Sequence, residues 1–312
     1  MATIGQLTSH IANKQVRNEK YAQLKHKQKK DQKKERIKRQ REAAAAESQG
    51  LAPPPRKVQK TLENTRAWDE TRIQPDDAEN AADIAEDEFA SYFNRQETPK
   101  VLLTTCYKPS KLMFELLAEL LDVLPVAYYY KRQGYSVKKV AEYASNRGFT
   151  NLIVLNENRK EVNGLLLVHL PHGPTAQFRL SNLKLARDIK GHARATHHKP
   201  EVIMNNFDTV IGQRVGRLLA SLFSQDSAFK GRQVATFHNQ RDFIFFRHHR
   251  YLFEEKKGKL AAKEPVGARL QEIGPRFTLR LRSLQAGVFD KAGEVEWKKK
   301  ASLKATRREF AL

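Results

Sequence analysis

Two spacings of apolar residues alternate along the middle of the chain. Apolar residues three and four positions apart predict helices from Lys111 to Leu124, from Ser136 to Arg147 and from Thr209 to Phe223. Short apolar or alternating runs predict strands between them. The predicted strands cover residues 101–105, 126–130, 151–155, 162–169, 175–180, 199–204, 233–238, 243–248 and 251–253.

The order of these elements occurs twice. In each case a strand leads into a helix, and antiparallel strands follow. This repetition predicts an α/β fold in which two related halves, about 99–190 and 199–290, pack against each other.

One later stretch has a strand pattern with an unusual polar face. After a break at Gly274-Pro275, apolar residues alternate with Arg276, Thr278, Arg280 and Arg282. Residues on the same face of a strand lie about 6.6 Å apart, so these three guanidinium groups are expected to form a row that suits successive phosphates. For this stretch alone, a solvated amphipathic strand is the alternative.

The charge of the whole chain favours phosphate binding over a solvated face for this strand. The chain of 312 residues carries 57 Lys and Arg against 35 Asp and Glu, a net charge of +22. Residues 99–290 alone carry +15, so the excess lies in the predicted folded region as well as in the termini. Such a body indicates a polyanionic partner. We expect no membrane partner, since no apolar run approaches about 18 residues and the polar N-terminus has no signal-peptide core.

The segments outside the predicted folded region are two basic termini and one acidic stretch between the N-terminal arm and the fold. Residues 1–60 form a basic N-terminal arm that is helix-prone, has few apolar positions and is suited to phosphate binding and nuclear import. Pro53-Pro54-Pro55 predicts an extended linker. Residues 61–98 are acidic, and Phe89, Tyr92 and Phe93 lie near one face of a predicted helix, which is expected to dock on a basic surface of a partner or of this chain. Residues 291–312 form a basic tail.

Neither metal nor nucleophilic chemistry is predicted. Cys106 is the single cysteine and lies in an apolar strand, which predicts a buried thiol in an intracellular protein. Adjacent His248 and His249 are expected on opposite strand faces, away from any pair of carboxylates at ligand spacing. No Gly-rich phosphate loop follows a strand. We therefore expect no cofactor, no metal and no small-molecule substrate, with an RNA-processing enzyme as the disfavoured alternative.

Three segments carry a resemblance to a known family. Residues 164–175, 237–247 and 272–277 are similar, in sequence and in order, to motifs of the Brix-domain family of ribosome assembly proteins. The resemblance spans about residues 99–290. It implies two pseudo-symmetric α/β halves akin to anticodon-binding domains. It also implies a non-catalytic nucleolar protein of the large-subunit precursor that binds ribosomal RNA and other assembly factors.

The resemblance also implies positions for RNA contacts. Its motif places Lys108, Ser110 and Lys111 at the start of the first helix, where backbone amides and the helix dipole favour an anion. For Ser110, simple capping of the helix is the alternative. The full set of expected RNA-binding residues is Arg276, Arg280, Arg282, Arg241, Arg247, Arg179, Lys108, Ser110, Lys111, Lys14 and Arg17. A scaffold that binds acidic proteins is the competing function.

Overall fold

The computed structural model describes residues 4–48, 77–226, 229–255, 266–289, 294–299 and 310–312, with 59, 61, 64, 66 and 70–73 between the first two ranges. The predicted linker at residues 53–55, most of the charged insertion at 254–263 and most of the tail at 291–312 lie outside the described residues. The chain forms two compact units, residues 1–64 and 65–312.

The first unit is helical, as its composition predicts. Helices α1 (Ile4–Thr8) and α2 (Lys14–Ser48) are its described elements. The side chain of Asn13 caps α2, because its Oδ1 accepts a hydrogen bond of 2.9 Å from the backbone N–H of Gln15. Nearly all described side chains of α2 are exposed or half-buried, so this helix is sustained by the helix propensity of its Lys, Gln, Glu and Ala residues.

The second unit contains the remaining helices and all the described strands. The helices are α3 (Ala78–Glu86), α4 (Ala90–Phe93), α5 (Lys111–Val123), α6 (Val137–Asn146) and α7 (Val210–Ala220). The strands are β1 (Val101–Thr105), β2 (Ala127–Tyr129), β3 (Asn151–Asn158), β4 (Glu161–His169), β5 (Thr175–Lys184), β6 (Glu201–Asn205), β7 (Gln233–Gln240), β8 (Phe243–Glu255), β9 (Val266–Glu272), β10 (Arg276–Gln285) and β11 (Trp297–Lys298).

These strands form one continuous mixed sheet. Its order is β2-β1-β3-β4-β5-β10-β8-β7-β6, with β9 paired to β8 and β11 paired to β10. In the first half β1 is parallel to β3, and in the second β6 is parallel to β7. The halves meet where β5 and β10 pair in antiparallel register. The α/β fold of two related halves is therefore confirmed.

The main core lies on one face of this sheet. Helices α5 and α7 pack there, and their buried leucines meet inward-facing residues of β3, β5, β8 and β10. On the opposite face α6 covers only the outer part of the first half, where Ala141 and Ala144 contact Leu102, Leu152 and Val154. Among the described helices, none takes the place of α6 in the second half.

Several elements differ from the predicted ones. The runs at 243–248 and 251–253 form the single strand β8, because the intervening residues continue the ladder with β7 and β9. Strands β9 and β11 carry no clear alternation and were not predicted. Both are held by backbone pairing to a neighbour that is already in the sheet.

Candidate nucleic-acid interface

The second half of the sheet has a polar face that no described helix covers. Alternation along β5, β8 and β10 sends Phe178, Phe246 and Leu279 into the core, so their neighbours point the opposite way. We call this side of β5, β10 and β8 the open sheet face. It includes Arg179, Phe243, Phe245, Arg247, Arg276, Arg280 and Arg282.

Two arginines face each other across the junction of the halves. Arg280 of β10 is the register partner of Arg179 of β5. Like charges directly opposite in a sheet repel, and no carboxylate of the described chain lies within salt-bridge distance of either guanidinium group. The guanidinium carbon of Arg280 lies 4.6 Å from the centroid of the Phe243 ring. Phe243 is itself 36% exposed, so the Arg280 guanidinium group and the Phe243 ring form a cation–aromatic pair at the surface.

Arg276 is less available than its strand position predicts. Its guanidinium group makes a two-point ion pair with Glu272, in which Nε donates to Oε1 over 2.7 Å. Arg247 lies close to Arg276, and its pKa is lowered by burial and by the charge of Arg276. Its Nη1 donates a hydrogen bond of 2.8 Å to the backbone oxygen of Phe246. The three arginines of β10 are therefore not equivalent, because Arg276 already has a carboxylate partner within the chain. That Arg276 contacts RNA stays a prediction.

Arg282 and Arg241 occupy irregular positions. The register of β10 against β5 shifts between Leu281 and Ser283, so Arg282 lies in a bulge and is exposed. Arg241 is exposed in the two-residue turn between β7 and β8, where its φ is 55°. Both guanidinium groups are accessible to an anion. They do not share a regular row with Arg280.

A carboxylate of the chain itself lies at the start of α5. The backbone N–H of Ser110 donates 3.0 Å to Oε1 of Glu157, and its hydroxyl donates 2.6 Å to Oε2. Lys111 lies 3.9 Å from Glu115. Glu157 thus occupies the two Ser110 donors that are expected to bind phosphate. Phosphate binding by Lys108 and Lys111 stays a prediction. The hydroxyl of Ser110 makes no capping bond of its own.

The acidic segment docks on its own chain. Asp87 receives hydrogen bonds of 2.5 and 2.7 Å from Arg217 of α7, whose guanidinium carbon lies 4.3 Å from the centroid of the Phe93 ring. Phe89 is fully buried and Tyr92 is 4% exposed. Burial raises the pKa of Tyr92 to about 12. Phe89, Tyr92 and Phe93 thus pack within this chain, and of the two alternatives expected for this segment the contacts favour docking on a basic surface of the chain itself over docking on a partner.

The two arm residues lie at the start of α2. Lys14 is exposed and Arg17 is half-buried. No ion pair with a carboxylate is recorded for either in the described part of the arm. Both side chains are thus open to a phosphate, in a helix of strongly basic composition.

The histidines are placed as structural groups. His248 is fully buried, with Nδ1 3.0 Å from the backbone oxygen of Gly274 and Nε2 3.1 Å from Oε1 of Gln233. Burial lowers the pKa of His248 and of its neighbour His249. Within the described residues no cluster of three or more His, Cys, Asp or Glu could hold a metal ion. Nor is any described helix long and apolar enough to span a bilayer.

Sequence reasoning missed several aromatic residues. Phe243 and Phe245 lie outside the core, whereas Phe237 and Phe246 are in it. Strict alternation along β8 was the signal that could have separated them. Tyr130, Tyr135 and Tyr143, each about half-exposed, had no periodic signal at all.

Comparison with known proteins identifies the family. The Brix domain model matches residues 106–283, and the chain belongs to the Brix domain family. The chain is similar to "Ribosome production factor 1" of Mus musculus, with 48% identity over 97% of this chain and 84% of that protein. The protein of that name from Danio rerio is 51% identical over 83% of this chain and 76% of its own length. A crystal structure of a probable ribosomal biogenesis protein from Aeropyrum pernix K1 aligns with a TM-score of 0.42 and 16% identity, covering 58% of this chain and 96% of that chain.

Proposed function

We propose that this chain is a non-catalytic RNA-binding factor of ribosome assembly that acts on the precursor of the large subunit. Membership of the Brix domain family and the names of its relatives support ribosome assembly. Residues suited to phosphate and base contacts support RNA as the partner. The proposed place of action is the nucleolus, in company with other assembly factors and ribosomal proteins.

One observation carries the RNA-binding part. Arg179 and Arg280 face each other without a carboxylate partner in the described chain, beside the exposed ring of Phe243. Two unneutralised guanidinium groups held together gain most from a shared anion, and a phosphate diester supplies one. The adjacent ring offers a stacking surface for an unpaired base.

The surroundings of this pair favour a long polyanion over a small ligand. The open sheet face is continuous across β5, β10 and β8, and Arg241 and Arg282 add charge beside it. With a net charge of +22 on the chain, approach of RNA is favoured at long range.

The test compares two variants of equal charge. Arg179→Ala/Arg280→Ala removes the unpaired arginines, whereas Arg187→Ala/Arg269→Ala removes two exposed arginines that are paired with Glu115 and Glu254. We expect the first variant to bind a single-stranded ribosomal RNA fragment at least about tenfold more weakly, with a salt slope lower by about 1 per arginine.

The control variant should lose much less affinity, because its arginines already have carboxylate partners. Equal losses in the two variants would show that only net charge matters and would remove the open sheet face from the proposal. Salt-dependent binding to acidic peptides with no binding to RNA would instead support a protein scaffold.

A further inference from the structure

The first half of the sheet carries a second candidate site, against the middle and C-terminal part of α6. A cavity of about 390 Å³ opens there between α6, β1 and the loop that follows β2. Its walls carry the rings of Tyr130, Tyr135 and Tyr143, with Phe149 beside them. We call this cavity the tyrosine pocket. Its volume lies in the range of about 300–1,000 Å³ that is usual for bound small molecules and cofactors.

The pocket is aromatic inside and basic at its rim. Tyr130, Tyr135 and Tyr143 are each 50–51% exposed, so ring surface faces the cavity and solvent. Lys131, Arg132 and Arg147 also line it, and none of its described lining residues is Asp or Glu. The lining thus combines stacking surfaces with cations.

Local structure holds the tyrosines in place. The backbone N–H of Tyr135 donates 3.1 Å to the oxygen of Arg132, which closes a turn through Gly134 at φ 119°. The Tyr135 and Tyr143 rings meet edge-on with centroids 6.0 Å apart. The hydroxyl of Thr104 donates 2.8 Å to the backbone oxygen of Tyr130, which fixes the third tyrosine on the sheet edge.

One polar atom in the lining lacks a partner. The Nε of Arg132 is shielded from solvent and has no hydrogen bond in the described chain. A shielded guanidinium N–H without an acceptor is costly, and an acceptor atom on a bound molecule would relieve that cost. Rings that stack, a free donor and a basic rim together match the face, the edge and the phosphate of a nucleotide.

We propose that the tyrosine pocket holds one unpaired nucleotide of the bound RNA. The base stacks on one of the two perpendicular rings of Tyr135 and Tyr143 and meets the other at its edge. It accepts a hydrogen bond from Arg132, and the flanking phosphates contact Lys131 and Arg147. This inference rests on the proposed RNA-binding function. The pocket opens on the same side of the sheet as the open sheet face, because Leu102 and Thr104 of β1 point to the side that α6 covers. The distance from β1 to β5 across the sheet is about 14 Å, so one RNA strand can occupy both the tyrosine pocket and the open sheet face.

A fluorescent base tests the pocket directly. The probe is a uridine oligomer of about ten nucleotides with one central 2-aminopurine, whose emission falls when it stacks on an aromatic ring. We expect the full chain to quench this emission on binding. Tyr135→Ala/Tyr143→Ala should abolish the quenching and weaken binding about five- to a hundredfold.

Matched variants separate stacking from folding. Tyr135→Phe/Tyr143→Phe keeps both rings and should keep the quenching. Tyr107→Ala removes a tyrosine that is 64% exposed outside the pocket and should leave the signal unchanged. Melting temperatures of all variants establish that each is folded.

The outcomes for the two proposals are distinct. Undiminished quenching and affinity in Tyr135→Ala/Tyr143→Ala, with binding still dependent on Arg179 and Arg280, would overturn the pocket and leave the proposed function standing. The same undiminished quenching and affinity are expected if the tyrosine pocket binds an acidic peptide and not RNA. If the unaltered chain bound neither the probe nor any ribosomal RNA fragment in a salt-dependent way, both the tyrosine pocket and the proposed RNA-binding function would be overturned.

Discussion

At the scale of single residues, the partners of each charged group decide its role more than its position in the sequence. Arg276 and Arg280 lie on the same face of β10, four residues apart. Glu272 neutralises Arg276, whereas Arg280 lies opposite Arg179 and beside the Phe243 ring, with no carboxylate partner among the described residues. Ser110 likewise begins a helix where an anion is favoured, and that anion is Glu157.

The contact between Glu157 and Ser110 predicts a measurable contribution to stability. Glu157→Ala should lower the free energy of unfolding by about 1–3 kcal/mol, because two donors at the start of α5 lose a charged acceptor. Chemical denaturation measures this change. Glu161→Ala, at an exposed position of β4, is the control and should change it by less than about 0.5 kcal/mol. An unaffected Glu157→Ala protein would restore the start of α5 as a candidate phosphate site.

Buried His248 predicts a loss of stability in acid. Burial holds its pKa in the folded chain below the ordinary value of 6.5. Below about pH 6.5 the unfolded chain therefore binds a proton that the folded chain does not, and stability falls as the pH decreases. The stability that neutral His248 contributes is fully present above pH 6.5 and is lost as the pH falls toward the pKa in the folded chain. The loss amounts to about 1.4 kcal/mol for each unit by which the pKa differs between the unfolded and the folded chain.

Melting temperatures between about pH 7.5 and 5.5 check this expectation. His248→Gln should reduce the dependence on pH in that window, since Gln does not titrate. His172→Gln, in the exposed turn after β4, is the matched control and should leave the dependence unchanged. If His248→Gln kept the whole dependence, other groups would be its source.

At the scale of elements, the contact between α7 and the segment 78–93 predicts the cost of one arginine. Arg217→Ala removes both hydrogen bonds to Asp87, the bond to the Ile84 oxygen and the contact with the Phe93 ring. It should destabilise the chain by about 2–4 kcal/mol, because Asp87 is left unpaired with its side chain only 12% exposed.

The neighbouring arginine of α7 provides the comparison. Arg214 pairs with Glu88 and Glu296, both more exposed than Asp87, so Arg214→Ala should cost less. Denaturant titration of both variants compares the costs. Equal costs would mean that the Asp87 contact has no special weight in holding the segment on α7.

The elements that the sequence predicts well are those with a strong internal period. The bounds of β1 match the predicted run, and α5, α6 and α7 begin within about one residue of their expected starts, because buried leucines and alanines recur at helical spacing. Strands β9 and β11 depend on pairing with β8 and β10, which is a tertiary property. The same holds for the site. Alternation places Arg280 on an outer face, but only the register of the sheet brings Arg179 opposite to it.

At the scale of the whole molecule, the near repeat of the two halves creates the candidate interface. The sheet continues through the β5–β10 junction, and α5 and α7 occupy matching places on its core face. The first half adds α6 on the other face, whereas the described second half leaves that face bare. The bare area carries the unpaired arginines and Phe243.

The basic N-terminal arm should add affinity without selectivity. Deleting residues 1–60 removes a net charge of +11, so binding should weaken to a similar extent for unrelated RNA sequences and the salt slope should decrease. Titrations with several RNA fragments at two or more salt concentrations measure both quantities. Loss of affinity for one fragment alone would assign sequence recognition to the arm.

Crosslinking of the full chain to precursor ribosomal RNA, with the attached peptides identified by mass spectrometry, tests the central proposal most directly. Crosslinked nucleotides are expected on peptides that contain Arg179, Phe243 and Arg280, with Tyr135 and Tyr143 as a second group. Crosslinks confined to the outer surfaces of α5 and α7, or to the arm alone, would contradict the open sheet face as the RNA-binding surface.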